Sequence, residues 1–262
     1  MSFPQIAYLS SESIYKQYAS ADKPALIGTL GMDQFGSLYR MCKAGADMTG
    51  TIEYAVVNAN FAADDYGGDM ATVDLYSDTA AVGDVVIQID DANTAAARPV
   101  NFYEGGVAHF YGGSTAERQS RRIISSTVGT SASLYITLDA PLDVAITDGA
   151  VDALTSPYSN VVSAGAEAST YETFVCYKPI CSITSGYYFW GQTQGLRVGH
   201  YEGSTWPGSG PYDKDMYFGP NGGVMSTETV STIPTYSPQR AGYGVMCNTA
   251  SYGSVYFMLQ LE

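Results

Sequence analysis

Four consecutive aromatic residues, Tyr187-Tyr188-Phe189-Trp190, stand between Gly186 and Gly191 and constrain the fold more than any other stretch. Strand residues alternate faces, so Tyr187 and Phe189 share one side while Tyr188 and Trp190 share the other. A strand that is aromatic on both sides needs cover on both. Residues 183–201 therefore read as a core hairpin: a first strand, a turn at 192–195, and a second strand at 196–201. The same aromatics could instead form a binding platform for sugar or protein.

The surrounding composition supports a β fold. Only 15% of the 262 residues are charged, while 28 are glycine and 22 tyrosine, which suits strands and turns better than exposed helices. The length allows one large all-β domain or two smaller ones with a real core. No convincing amphipathic helix longer than ten residues emerges. Residues 10–18 leave room for one or two helical turns, with a poor capping pattern.

Period-two alternation marks the strands. Leu134, Ile136 and Leu138 share a face, as do Leu142, Val144 and Ile146 after Pro141, and Val255, Phe257, Leu259 and Leu261 at the end. Val85, Ile87 and Ile89 repeat the rule. Residues 26–31 and 37–44 flank a tight turn, Asp33-Gln34-Phe35-Gly36, and 45–50 make the next corner before a strand at 52–57. Residues 71–76 are a further strand, and 100–103 with 107–111 have hairpin spacing around Glu104-Gly105-Gly106. Residues 225–233 give a weak strand and 241–247 a better one. The expected fold class is all-β: an antiparallel β-sandwich or β-barrel body in two β-rich lobes, with an extended N-terminal arm. The small polar run 163–169 is the expected boundary, giving an arm at 1–24, a first domain at 25–165 and a second at 166–262.

The arm reading rests on residues 1–24, which contain no glycine and end at Lys23-Pro24. Phe3, Ile6, Tyr8, Ile14, Tyr15 and Tyr18 are spaced apolar residues that could bury against a neighbouring subunit; an ordinary terminal strand is the alternative. Trp206 and Tyr212, in a proline- and glycine-rich stretch at 203–220, are further candidate contact residues.

The charge balance narrows the partners. With 26 acidic against 12 basic residues the formal net charge is −14, which disfavours nucleic acid and anionic membrane surfaces. No apolar window of transmembrane length occurs, and residues 1–5 lack the basic start of a secretory signal. Arg118, Arg121 and Arg122 read as local charge balance on a surface loop or as a patch for an acidic neighbour.

Chemistry is not announced anywhere. His109 and His200 have no metal-ligand spacing, and no nucleophile elbow or phosphate-binding loop occurs. The acidic glycine loop at 64–69 lacks calcium-loop spacing and reads as a solvated turn. Cys42, Cys176, Cys181 and Cys247 read as four buried free thiols, with a local Cys176–Cys181 bridge possible in principle. A carboxylate pair for glycoside hydrolysis could be assembled from distant positions, which keeps a β-sandwich hydrolase as a third function class. The expectation is no enzyme, no cofactor and no metal.

Several stretches together carry a resemblance. They are Gly28-Thr29-Leu30-Gly31, then Phe35-Gly36-Ser37-Leu38-Tyr39-Arg40 and Lys43-Ala44-Gly45; Pro141-Leu142 with Ile146-Thr147-x-Gly149; Pro157-Tyr158-Ser159-Asn160-Val161; and Trp190-x-Gln192-Thr193-x-Gly195. In this order they resemble capsid decoration, or cement, proteins of tailed bacteriophages. Gly191 stands where a β-branched residue is expected. The resemblance covers much of residues 28–195 and implies a virion structural protein on the capsid outer surface, made in the host cytoplasm. It also implies that the major capsid protein and further copies of itself, as a homotrimer, are the partners. The competing class is a receptor- or carbohydrate-binding module of a tail fibre or spike, which tyrosines and Trp206 would suit.

Overall fold

The computed structural model describes residues 6–58, 71–75, 79–90, 98–111, 118–129, 133–147, 150–164, 173–202, 214–226, 239–247 and 253–261. The fold is all-β, as alternation predicts. The chain forms two compact units, 1–66 with 160–262, and 67–159.

The first unit opens with β1 (Ala7–Tyr8), α1 (Ser11–Ile14), a 3-10 turn (Ser20–Asp22), β2 (Leu30–Met32), β3 (Leu38–Lys43) and β4 (Ala55–Asn58). The second unit holds β5 (Ala71–Leu75), β6 (Thr79–Ala80), β7 (Val86–Asp90), β8 (Val107–Tyr111), β9 (Gln119–Ser126), β10 (Ser133–Leu138), β11 (Ile146–Thr147) and β12 (Ala150–Leu154). The chain then returns to the first unit with β13 (Val161–Ser163), β14 (Phe174–Tyr177), β15 (Tyr188–His200), β16 (Asp215–Phe218), β17 (Val224–Ser226), β18 (Arg240–Cys247) and β19 (Ser254–Gln260).

In the second unit, β10-β7-β5-β12-β8-β9 close into an antiparallel barrel, and β6 pairs with β11 beside it. Leu134, Ile136 and Leu138 point inward, fully buried, whereas Tyr135 faces out. They meet Ile87, Ile89, Phe110, Ile123 and Val151 in one apolar cluster, so the barrel is a packed core and not a channel. The expected second run, Leu142 to Ile146, does not form a full strand: Val144 is exposed and only Ile146–Thr147 pairs. Leu142 keeps two backbone bonds, donating to Asp84 O at 3.0 Å and accepting from Gly83 N at 2.9 Å, and side chains hold the residues around it. Arg121 donates to Pro141 O at 2.9 Å and forms an ion pair with Asp143 at 2.7 Å, while Asp143 N donates to Gln119 at 2.9 Å. Arg121 thus serves local charge balance. Residues 100–105 form turns where a strand was expected, because Asn101 takes a left-handed conformation (φ 61°) and donates to Ser126 O at 2.8 Å. Val85 precedes β7 and is exposed, so only Ile87 and Ile89 of that triplet enter the core.

In the first unit an 11-stranded sheet runs β1-β2-β3-β15-β19-β18-β16-β17, with β14, β4 and β13 branching from β15. Its central element corrects the expected hairpin. Residues 188–200 form one continuous 13-residue strand, and 192–195 are not a turn. Up to Gln194 this strand pairs with β3; from Gln194 onward it pairs with β19. The change of partner is made at a bulge between Gln192 and Gln194, with Gly195 at φ +111°. Gln192 Nε2 donates to the carbonyls of Gln194 and Leu196 at 3.3 and 3.2 Å, and Leu261 N donates to Thr193 O at 3.0 Å. The Leu261 bond occupies the carbonyl of Thr193, the residue the bulge leaves without a ladder partner. Tyr188, Phe189 and Trp190 are all buried and belong to the core, whereas Tyr187, just ahead of the strand, is exposed.

Gly191 now has a reason. A Cβ there would overlap Cys176 Sγ and approach Cys42 Sγ to 2.9 Å. The two thiols, both buried and free, meet over this glycine at 3.6 Å, and burial pushes the Cys176 thiol up. A β-branched residue cannot fit. Gly191→Ala is expected to destabilise the unit by about 1–3 kcal/mol through overpacking, with Cys176→Ala recovering part of the loss in denaturant unfolding. Cys176 is turned toward Cys42 and not toward Cys181, and Cys181 is exposed, which corrects the expectation of uniformly buried thiols. The side chain of Cys247 lies outside the described residues.

Two further expectations are revised. The boundary at 163–169 does not separate two lobes, since β3 pairs with β15 in one sheet across it. The units part instead after residues 66 and 159. The segment 6–24 is no free arm in this chain. β1 pairs in parallel with β2, Tyr18 bridges to Tyr188, and Ile14 and Tyr18 are 4% and 8% exposed. Ser10 caps α1, accepting from Ser13 N at 3.2 Å. Deleting residues 2–22 is therefore expected to remove packing from the first unit.

Glu202 supplies a pH-dependent contribution. Burial raises its pKa above the ordinary carboxylate value, although Gly223 N donates to it at 2.8 Å. The folded state holds this proton more tightly than the unfolded chain does. The stability contribution is therefore fully present below the unfolded pKa, about pH 4, and is lost as pH rises through the raised value. Glu202→Gln is expected to flatten that part of a melting-temperature profile against pH.

Candidate interaction surface

The sheet of the first unit buries one face and leaves part of the other uncovered. On β19, Val255, Phe257 and Leu259 are fully buried against Tyr177, Phe218 and Met216. Tyr177 meets Phe257 edge-on at 5.9 Å, and Phe174 stacks on Phe218 at 4.5 Å. Alternation then forces Tyr256 and Met258 to the opposite face. Registry aligns Met258 with Leu196 of β15 and Tyr243 of β18, and Tyr256 with Val198 and Met246. A bulge between Gly244 and Met246 turns both Val245 and Met246 outward.

The result is a contiguous apolar stripe over three neighbouring strands. Met246 is 63% exposed, Leu196 56% and Val245 54%, with Tyr256 and Tyr243 at 42% and 39%. Their uncovered area is roughly 500 Å², on the scale of the largest apolar patches of monomeric proteins, which are often functional. Residues 194–200, 240–246 and 254–260 contain no Asp or Glu, in a chain with 26 acidic residues. At the rim, Arg240 pairs with Asp215 at 2.9 Å and donates to Gln260 at 3.2 Å. An apolar centre depleted of charge with a polar rim is the anatomy of a protein-binding surface.

The residues expected to bind partners do not converge here. Ile14 and Tyr18 are buried in their own unit. Ile6, Tyr8 and Tyr15 remain exposed, Tyr8 on the edge strand β1. Phe3, Trp206 and Tyr212 lie outside the described residues, as does the acidic loop 64–69. Leu196, Tyr243, Val245, Met246 and Tyr256 escaped the sequence reading. Their signal was present: residues 255–259 are apolar at every position, so both faces of that strand need cover.

His109 Nδ1 lies 2.6 Å from Ser120 Oγ, and His200 stacks on Tyr54 at 4.9 Å. Among the described residues no group of three or more His, Cys, Asp or Glu is arranged to hold a metal ion. No helix among them is long and apolar enough to cross a membrane. Compared with known proteins, the chain matches no family model, no curated protein and no solved structure.

Proposed function

We propose that this chain is a virion structural protein of a tailed bacteriophage, decorating the outside of an icosahedral capsid as a homotrimer and clamping neighbouring major capsid subunits. The observation that carries this reading is the carboxylate-free apolar face of β15, β19 and β18. Such a face offers protein a desolvated centre without like-charge repulsion. The order of the motifs between residues 28 and 195 supports the same assignment. So does the net charge of −14, which suits the outer surface, away from packaged DNA. With a polar rim added, the face reaches the scale of a standard interface, about 800 Å² per partner.

Co-expression with a tailed-phage major capsid protein from the same source as the chain tests this. The chain is expected to sediment with assembled shells. The double variant Tyr256→Asp, Met246→Asp should keep its circular dichroism and melting temperature yet bind shells at least tenfold less well, because two charges are forced into an apolar contact. A wild-type chain that stays in the supernatant, or a variant that sediments equally, overturns the proposal.

A further inference from the structure

The first unit also contains a cavity of about 480 Å³, within the range of small-ligand sites. Thr49, Thr51, Tyr54, Ser163, Lys178 and Asn221 line it, and among the described residues no carboxylate does. We propose that this cavity binds a sugar acid of monosaccharide size, a polyhydroxylated ligand carrying one carboxylate. The site is separate from the apolar face and independent of the assembly role.

Charge is the first ground. Lys178 is 2% exposed, and its Nζ donates to the carbonyls of Cys181, Thr49 and Gly50 at 2.9, 3.2 and 3.3 Å. Three acceptors around one nitrogen match the three protons of an ammonium group. Behind it, Arg197 donates to the carbonyls of Ile52 and Lys178 at 2.6 and 2.9 Å and to Gln192 Oε1 at 3.3 Å. Among the described residues neither cation has a carboxylate partner. Two positive charges with no carboxylate partner among the described residues therefore stand at the 49–52 wall of an otherwise acidic chain. The nearby carboxylates do not line the cavity and are engaged elsewhere: Ser254 Oγ donates to Glu53 at 3.0 Å, and Gly223 N to Glu202 at 2.8 Å.

Hydrogen-bonding capacity is the second ground. The side chains of Thr49, Thr51, Tyr54, Ser163 and Asn221 make no hydrogen bond to other described residues. Hydroxyls and an amide both donate and accept, which matches sugar hydroxyls, themselves donor and acceptor at once. Lys178 spends all three protons on carbonyls, so its charge acts through space and not by direct contact. That arrangement suits a single negative charge on a ligand held chiefly through hydroxyls, and suits free phosphate less. The Tyr54 ring is fixed by stacking on His200, at 27° between planes, so an aromatic surface is already ordered at the cavity wall.

The test uses the full-length, isotope-labelled chain titrated with D-glucuronate, D-glucose and inorganic phosphate, read by amide chemical shifts. Glucuronate is expected to saturate with a dissociation constant of about 1 mM or tighter, shifting amides of residues 49–56, 163–164, 178 and 221. Glucose should bind at least tenfold more weakly. Asn221→Ala and Tyr54→Ala should each weaken glucuronate at least fivefold while leaving the melting temperature in place. No saturation by glucuronate, phosphate or glucose binding as tightly, or binding insensitive to both variants would each overturn the assignment.

Discussion

Trp190→Ala is expected to lower the unfolding free energy of the first unit by about 3–5 kcal/mol, the cost of removing a large buried aromatic ring. Trp190 is 1% exposed, and its ring packs so closely on Gly31 that a Cβ there would come within 2.9 Å of it. Leu9 closes on the same glycine, at 2.6 Å from that Cβ position. The surrounding sheet is hydrogen-bonded on both sides of β15, so it cannot collapse far into the space left behind. Among the described residues the buried indole N–H has no hydrogen-bond partner, so truncation orphans no acceptor there and the loss is one of packing. The same fact separates two variants. Trp190→Phe removes an unsatisfied donor and is expected to cost far less than Trp190→Ala. Guanidinium unfolding followed by circular dichroism measures both; a loss below about 1 kcal/mol for the alanine variant would place the ring outside the cooperative core.

Lys178→Met is expected to cost about 2–4 kcal/mol, because carbonyls of Thr49, Gly50 and Cys181 lose their donor together. Two effects oppose each other at this site. Burial lowers the pKa of Lys178, which reflects the cost of placing the ammonium away from water. Removing the ammonium relieves that cost but takes the shared donor from three carbonyls of exposed residues and frees the 49–50 corner from Cys181. The second effect should win, since a hydrogen bond to a charged group contributes about 1.5–3 kcal/mol net and water restores only part of three such bonds. Lys178→Arg should not rescue, as a planar guanidinium cannot reach three converging carbonyls in the same geometry. Equal or greater stability of Lys178→Met would mean that desolvation dominates and that the cation is retained at a cost to the fold.

The elements legible in the sequence are those whose signal is local. Leu134, Ile136 and Leu138, and Val255, Phe257 and Leu259, alternate strictly and are buried as alternation requires. Burial of Tyr188, Phe189 and Trp190 follows likewise from aromatics on both sides of one strand. The Gln192-Thr193-Gln194-Gly195 stretch was not legible in this way. Its residues suit a turn as well as a bulge, and the choice depends on whether another strand is present to pair with residues 194–200. Gly191 looked like a weak point because the thiols it accommodates come from residues 42 and 176, far away in sequence.

The apolar face shows the same division. The sequence alone determined that the chain is all-β, where its strongest strands lie, and that residues 255–259 are apolar on both sides. Only the tertiary structure decided which side of those strands is filled by Tyr177, Met216 and Phe218 and which is left beside Leu196, Tyr243 and Met246. It also decided that the units part after residues 66 and 159, and that Ile14 and Tyr18 pack on their own unit. The physical reason is that alternation is a property of one strand's backbone, fixed by the pleat. Cover, registry and unit boundaries are properties of pairs of strands distant in the chain, and they are chosen by which pairing buries the most apolar surface with its backbone groups satisfied.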